Sequence, residues 1–403
     1  MLNETPKNLT EDGQAIWRAR LGSIDAYRGL AMLLMVAEVT HLCAVAAHFP
    51  DSSFWGFACF HQSHVPWVGC SLHDLIQPSF TFLVGVALPF SIASRRRRGQ
   101  SVRRMTVHAF YRALALIFLG IFLRSVGKSQ TYYTFEDTQI GLGYGFLFLL
   151  GLRSTRIQWL AFATILVGTW LLFAAYPLPP RDFDYESVGV PADWENLEEG
   201  FRAHWNKNVN VAADFDRWFL NRFPREAAFK FNSGGYQTLN FIPTLATMIL
   251  GLLAGGLLKR EGPGMFVIAR LAALGLLFLA AGWGLELLSI CPLVKRIWTP
   301  SFVLFSGGWC LLTLSLFCWI IDLKQVRGWA FPLIVIGMNS IAIYCMSWTM
   351  TKFAETAIQT HLGSGFTQIF GEAYESLVIG VTITAIFWLT MFWMYRHRVF
   401  LKI

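Results

Sequence analysis

Hydrophobic and polar positions in this chain segregate into long apolar runs, not into the short alternations of a water-soluble protein. Runs long enough to cross a bilayer fall near 28–48, 74–93, 107–125, 138–152, 157–176, 237–258, 265–288, 302–321, 329–349 and 374–395. About 20 helical residues cover the hydrocarbon core. Only helices and closed barrels satisfy their own backbone there, and runs of this length predict helices. The pattern predicts an all-α, polytopic membrane helix bundle of about ten transmembrane helices, with residues 1–403 as a single membrane domain. The fourth run, TQIGLGYGFLFLLGL, is short and rich in glycine.

Segment 177–236 interrupts the pattern. It is too polar to span and too aromatic for a plain linker. PADWENLEEGFRAHWNKN starts with a cap residue at Asp193 and repeats apolar residues at helical spacing, as does VAADFDRWFLNRFP, which stops at Pro224. A small helical cap between the fifth and sixth spans is expected. No internal repeat supports an inverted-repeat transporter.

Composition agrees with the runs: 55% of the 403 residues are apolar and 14% charged, against about 25% charged in ordinary globular chains. Disorder, coiled coil and a disulfide scaffold are excluded. The net charge of +8 acquires meaning from its location. With both termini cytoplasmic and residues 1–27 as a cytoplasmic segment, the inner stretches hold 18 of the 33 basic residues, including RRRRGQSVRR at 95–104. Segment 177–236 falls outside with seven basic and ten acidic residues. Lysine and arginine mark the cytoplasmic side, so this excess argues for a bilayer partner and against nucleic acid. The first twenty residues lack the core of a signal peptide, which makes the first span its own targeting signal.

Five of the nine histidines, His41, His48, His61, His64 and His73, lie between 41 and 73. Imidazole exchanges protons near neutral pH, and Asp74 can orient such a ring or cap the helix that follows. His61 and His64 have H-x-x-H spacing, but Pro66 and Gly69 argue against a helix there, and no metal is expected. Inside the bilayer, ionisable groups are costly. Glu38 falls in the middle of the first span, Arg28 at its inner end, Arg112 early in the third and Glu286 late in the seventh. Arg28 and Arg112 either snorkel to the interface or hold a cytosolic phosphate. Cys310, Cys318 and Cys345 read as small apolar residues. Cys59, Cys70 and Cys291 lie outside, where two of them could pair, with unpaired thiols the default.

These residues carry a resemblance. RLGSIDAYRGLAMLLMV followed by HVPWVGCSLHDLIQPSFTFLVGVALPFSIASR resembles the opening of the heparan-α-glucosaminide N-acetyltransferase family, and FNSGGYQTLNFIPTLATMILG, PLVKRIWTPSFVLFSGGW and IGMNSIAIY agree with it. The similarity runs from about Arg20 to the ninth span, and the chain resembles bacterial members of the family more than the lysosomal enzyme. It implies acetyl transfer across a membrane, from cytosolic acetyl-CoA to a terminal glucosamine amine. The active-site histidine of the H-x-x-W-x-G motif falls on His64 and the D-L carboxylate on Asp74. A polar Asn of the lysosomal enzyme falls on Val39, beside Glu38.

An acetyltransferase acting on an amino sugar or related glycan is therefore expected, with His64 as general base or acetyl carrier. Asn232, Asn240, Ser301 and Asn339, with Glu38, are acceptor or oxyanion candidates near the outer ends of spans, and Arg28 and Arg112 would hold CoA phosphates. Acetyl-CoA is the co-substrate, a homodimer is allowed, and a bacterial cytoplasmic membrane is the expected location. A transporter or flippase for a sugar or lipid-linked substrate is the rival reading, with Glu38, Glu286 and Arg112 serving proton coupling. A non-catalytic glycan- or lipid-binding module is a third.

Overall fold

The computed structural model describes residues 21–401. Lys7, Arg18 and Arg20 lie outside the described residues. Within them the chain is helical and contains no strand, only an isolated antiparallel bridge between Val68 and Val294. The α-helices are α1 (Gly22–Val36), α2 (Leu42–His48), α3 (Ser53–Gln62), α4 (Ile76–Arg97), α5 (Val102–Ser125), α6 (Gln139–Gly151), α7 (Thr155–Ala174) and α8 (Val211–Leu220). They continue with α9 (Phe241–Glu261), α10 (Met265–Leu287), α11 (Pro300–Phe317), α12 (Phe331–Met338), α13 (Ser340–Thr349), α14 (Thr351–Thr367) and α15 (Glu375–Arg396).

Seven of the described helical stretches are long and apolar enough to cross a membrane, or nine if each of two bent pairs is one span. The chain is a multi-pass membrane protein. Window 138–152 supplies only the 13-residue α6, about 20 Å at 1.5 Å per residue, which is short of the core. The first span breaks by 43° between Thr40 and Leu42, and the ninth by 68° at Asn339. The first break shows how a helix interrupts itself in lipid. His41 takes a left-handed conformation (φ 47°), and the Gln62 side chain serves the freed backbone, donating to Ala37 O at 2.8 Å and accepting from Leu42 N at 2.6 Å.

The core pair is α4 and α9, which approach through glycines. A Cβ on Gly85 would lie 1.9 Å from the Met248 carbonyl oxygen, and one on Gly251 equally close to that of Phe82. Small residues permit such backbone contact between membrane helices. Helix α1 runs beside them. Its start meets Asp322, which accepts from Gly22 N at 3.1 Å, and its far end brings Glu38 toward His73. Helix α4 sets the long axis: it begins just after Asp74 and ends in Arg95–Arg97, about 33 Å apart for 22 residues.

Three expectations are corrected. Cys59 is disulfide-bonded to Cys43, tying α2 to α3 with Cα atoms 4.5 Å apart, whereas Cys70 and Cys291 are free. The stretch after Asp193 is not an α-helix; it holds only a 3-10 turn at Gly200–Trp205. The Asn206 side chain binds the backbone of Glu198 from both its amide atoms, offering a competing local partner. The second stretch does form α8, capped by Asn210, whose Oδ1 accepts from Ala212 N and Ala213 N. Finally, Asp74 caps no helix: its carboxylate faces backwards into the preceding loop.

Candidate active site

The loop after α3 delivers His64. Ser63 is extended, Pro66 prevents helix from resuming, and Gly69 turns the chain at φ 116°. Two anchors hold the loop. Trp67 is fully buried and donates from Nε1 to Trp205 O at 3.1 Å, while Gly69 N donates to Leu293 O at 2.9 Å. The second anchor, beside the Val68–Val294 bridge, docks the loop onto segment 288–299 between α10 and α11.

Asp74 organises the interior of this junction. One oxygen, Oδ2, accepts from Val65 N at 3.2 Å, Ser71 N at 3.0 Å and Ser71 Oγ at 3.0 Å. The other, Oδ1, faces His64 Nδ1 at 2.8 Å and Lys295 Nζ at 3.2 Å. Lys295 Nζ also lies 3.0 Å from His64 Nδ1. Asp74 and Lys295 are buried, and the His64 side chain is 35% exposed. Burial pushes the Lys295 ammonium below the usual lysine value, against the pull of Asp74. Asp74 Oδ1 and Lys295 Nζ both stand on the Nδ1 side of the ring, and Nε2 is the ring nitrogen left for chemistry. With Nδ1–H donated to Asp74, Nε2 carries the lone pair. The Asp74–Lys295 pair is electrically balanced without a charge on the imidazole.

His73 packs on this ring, centroid to centroid 4.5 Å, with Nε2 3.7 Å from Glu38. The Glu38 side chain is 64% exposed and lies in the 3-10 turn that ends at the break of the first span. Cys70 offers no thiolate, since burial and the Asp74 charge push its thiol up. His61 is separate from the cluster, its Nδ1 accepting from Leu72 N at 3.2 Å. Among the described residues no three His, Cys, Asp or Glu side chains are grouped to hold a metal.

The other expected site residues scatter. Asn240 comes near, its Nδ2 donating to Arg296 O at 2.7 Å while its buried Oδ1 has no partner. Asn232 is occupied by Glu136 at 2.8 Å and by the turn at Gly234. Ser301 donates to Pro292 O at 2.6 Å. Asn339 is not at the His64 end. It bonds Val399 O and Leu401 N beyond the end of α15, and Gly337 packs against Asp25 at the start of α1. Arg28 pairs with Asp25 at 3.3 Å, ten residues before Glu38 on the same helix run. Arg112 donates to the Tyr144 hydroxyl at 3.2 Å and lines a 480 Å³ cavity with Arg95, Gln100, Arg104 and His108 at the arginine end of α4. Glu286 is paired with Arg202 at 2.8 Å.

Sequence reasoning misses Lys295. Its signal was available: a lysine at the mouth opposite the basic segments runs against the usual charge bias. Only the fold shows that it reaches residues 221 and 231 positions earlier in the chain.

Residues 20–179, which contain His64 and Asp74, match the family model for heparan-alpha-glucosaminide N-acetyltransferase, catalytic. The chain is 24% identical to the human heparan-alpha-glucosaminide N-acetyltransferase over 96% of its own length, and 22% identical to the mouse protein over 95%. The chain is similar to the heparan-alpha-glucosaminide N-acetyltransferase family over these residues. The chain spans 61% of the human relative and 60% of the mouse one. The family match ends before α9, so Lys295 and the segment that carries it lie beyond the residues that match covers.

Proposed function

We propose that this chain is a membrane-bound acetyltransferase that takes acetyl from cytosolic acetyl-CoA and passes it to an amino sugar or related glycan on the opposite face. The observation that carries this reading is the His64–Asp74–Lys295 cluster, in which both buried charges converge on Nδ1 and leave Nε2 open. An amine or hydroxyl attacking a thioester must lose a proton as the new bond to carbon forms and the sulfur leaves. Nε2 either accepts that proton and returns it to the departing thiolate, or attacks the thioester itself and hands the acetyl on. In both routes Asp74 holds the ring and Lys295 balances Asp74.

The donor is read as arriving from the far end of the bundle, where Arg28 sits in the second turn of α1. Asn240, which donates to the carbonyl of the residue after Lys295, is the remaining candidate for steadying the oxyanion.

The test is a proteoliposome assay with labelled acetyl-CoA on one face and a panel of amino sugars on the other. His64→Ala is expected to lower transfer by about 10³-fold or more with an unchanged thermal midpoint. Normal turnover by that variant would remove His64 from the mechanism. Sugar accumulation in vesicles without acetyl-CoA would favour a transporter.

A further inference from the structure

Among the described histidines only His73 is buried, and the transfer chemistry above gives it no part. Its ring lies against that of His64, centroid to centroid 4.5 Å, and its Nε2 stands 3.7 Å from Glu38 Oε2. Gln62, two residues before His64, holds the turn that carries Glu38. Its Nε2 donates to Ala37 O at 2.8 Å and to Thr40 Oγ1 at 2.7 Å. Gly380 of α15 packs on the same turn, where a Cβ would meet Val39 O. The turn is thus clamped between the His64 loop and a span.

The Glu38 carboxylate is 64% exposed, with no lysine or arginine within 4.0 Å among the described residues. A carboxylate exposed to lipid is costly. His73 is the first residue of a candidate span, so its neighbour Glu38 lies level with the end of that span, where water is in reach.

The reaction needs such a group. An amino sugar arrives largely as ammonium at neutral pH, its amine titrating near ~8 as an α-amino group does. Its acetylation removes two protons from nitrogen. The nitrogen–carbon bond forms, the carbon–sulfur bond breaks, and one proton ends on the sulfur. The other must leave first, because the ammonium has no lone pair with which to attack. His64 cannot hold both, since Nδ1–H is donated to Asp74 and Nε2 has one lone pair.

We infer that His73 and Glu38 form a proton relay that takes the acceptor's ammonium proton from the His64 face to water at the mouth. This rests on the acetyltransferase reading and supplies the step it leaves open, deprotonation of the acceptor. The His73 ring accepts the proton at Nδ1 while Nε2–H passes to the Glu38 carboxylate, which releases it to water. The charged and titratable groups that face His73 are His64, Asp74, Lys295 and Glu38. Asp74 and Lys295 are buried and paired with each other, so Glu38 is the exit. A gap of this size between proton-transfer partners closes when substrate binds.

The test uses the full chain in nanodiscs and two readouts. In the first, exchange of the His73 ring proton with water is measured in nitrogen-15 histidine spectra without substrates, His73→Asn marking the signal. Exchange is expected to slow by about tenfold in Glu38→Gln and to recover on adding formate, a small mobile carboxylate. In the second, acetyl transfer to glucosamine is followed from about pH 6.5 to about pH 9. Glu38→Gln and His73→Asn are expected to lower kcat by about tenfold at the acid end, with the deficit closing at the alkaline end, where the acceptor arrives as free amine. Formate should restore Glu38→Gln at the acid end and leave His64→Ala inactive. A merely structural role would lower kcat at every pH, with no rescue. Unchanged exchange in Glu38→Gln, or a transfer deficit that is absent at the acid end or persists at the alkaline end, overturns the inference and leaves the acetyltransferase reading standing. Slowed exchange that formate restores, with no transfer to glucosamine, upholds the relay as a proton route and removes the acetyltransferase reading.

Discussion

Asn at position 74 is the sharpest probe of the central cluster, because it separates the stability of a buried ion pair from its use. Asp74 is 1% exposed and Lys295 4%. Asp74→Asn leaves the Lys295 ammonium buried with no carboxylate at 3.2 Å, which is expected to cost about 3–5 kcal/mol. Lys295→Met leaves Asp74 its donors from His64, Val65 and Ser71 at 2.8–3.2 Å, so its cost should be smaller, about 1–3 kcal/mol. The double variant removes both charges. It is expected to recover about 2 kcal/mol or more relative to additive single losses. Unfolding in mixed micelles by titrated SDS, followed by tryptophan fluorescence, measures all four proteins. Transfer should not recover with stability. Without Asp74 nothing holds Nδ1–H in place, and a fall of about 10⁴-fold is expected in both Asp74→Asn and the double variant. A double variant whose stability loss equals that of the two singles together would refute the buried-pair argument. One that regained transfer would refute the orienting role.

Three further outcomes follow from the fold. Asp216, in α8, is raised to about 6 by burial, with Thr238 opposing the shift. An acid raised above its unfolded value of about 3.9 contributes stability below that value and loses it as pH rises toward 6. Asp216→Asn should therefore raise the stability at pH 7.5 by on the order of 2 kcal/mol, seen as a higher thermal midpoint, and flatten the pH dependence between 4 and 6. An unchanged pH profile would count against it. Reducing the Cys43–Cys59 bridge, which closes a separation of 16 residues, should cost about 3 kcal/mol; Cys43→Ser should then become insensitive to reductant in the same melting assay. Gly251→Val should prevent α4 and α9 from docking, because its Cβ meets the Phe82 carbonyl oxygen. Loss of folded protein by size-exclusion chromatography is expected, while Gly284→Ala, whose Cβ meets nothing within 4 Å, should be silent.

The sequence by itself determined the class of molecule and the end of it that matters. Long apolar runs demand helices that satisfy their own backbone, so most of the bundle was legible from hydropathy alone. His64 and Asp74 were legible too as candidates, since eleven residues of sequence span both. The breaks at His41 and Asn339 were not, because a continuous apolar run does not reveal a left-handed residue or the Gln62 side chain that sustains it. Nor was the disulfide, whose partner sits on a helix created by that break. Only the tertiary structure decided which distant groups meet. Lys295 enters the site through the bridge between Val68 and Val294. Asn339 leaves it because α1 and α12 pack it at the opposite end. Local sequence fixes what a segment can be, since backbone satisfaction and burial act over neighbouring residues. Electrostatic pairing depends on distances of about 3 Å between residues separated by more than two hundred positions, and only the packed fold sets those.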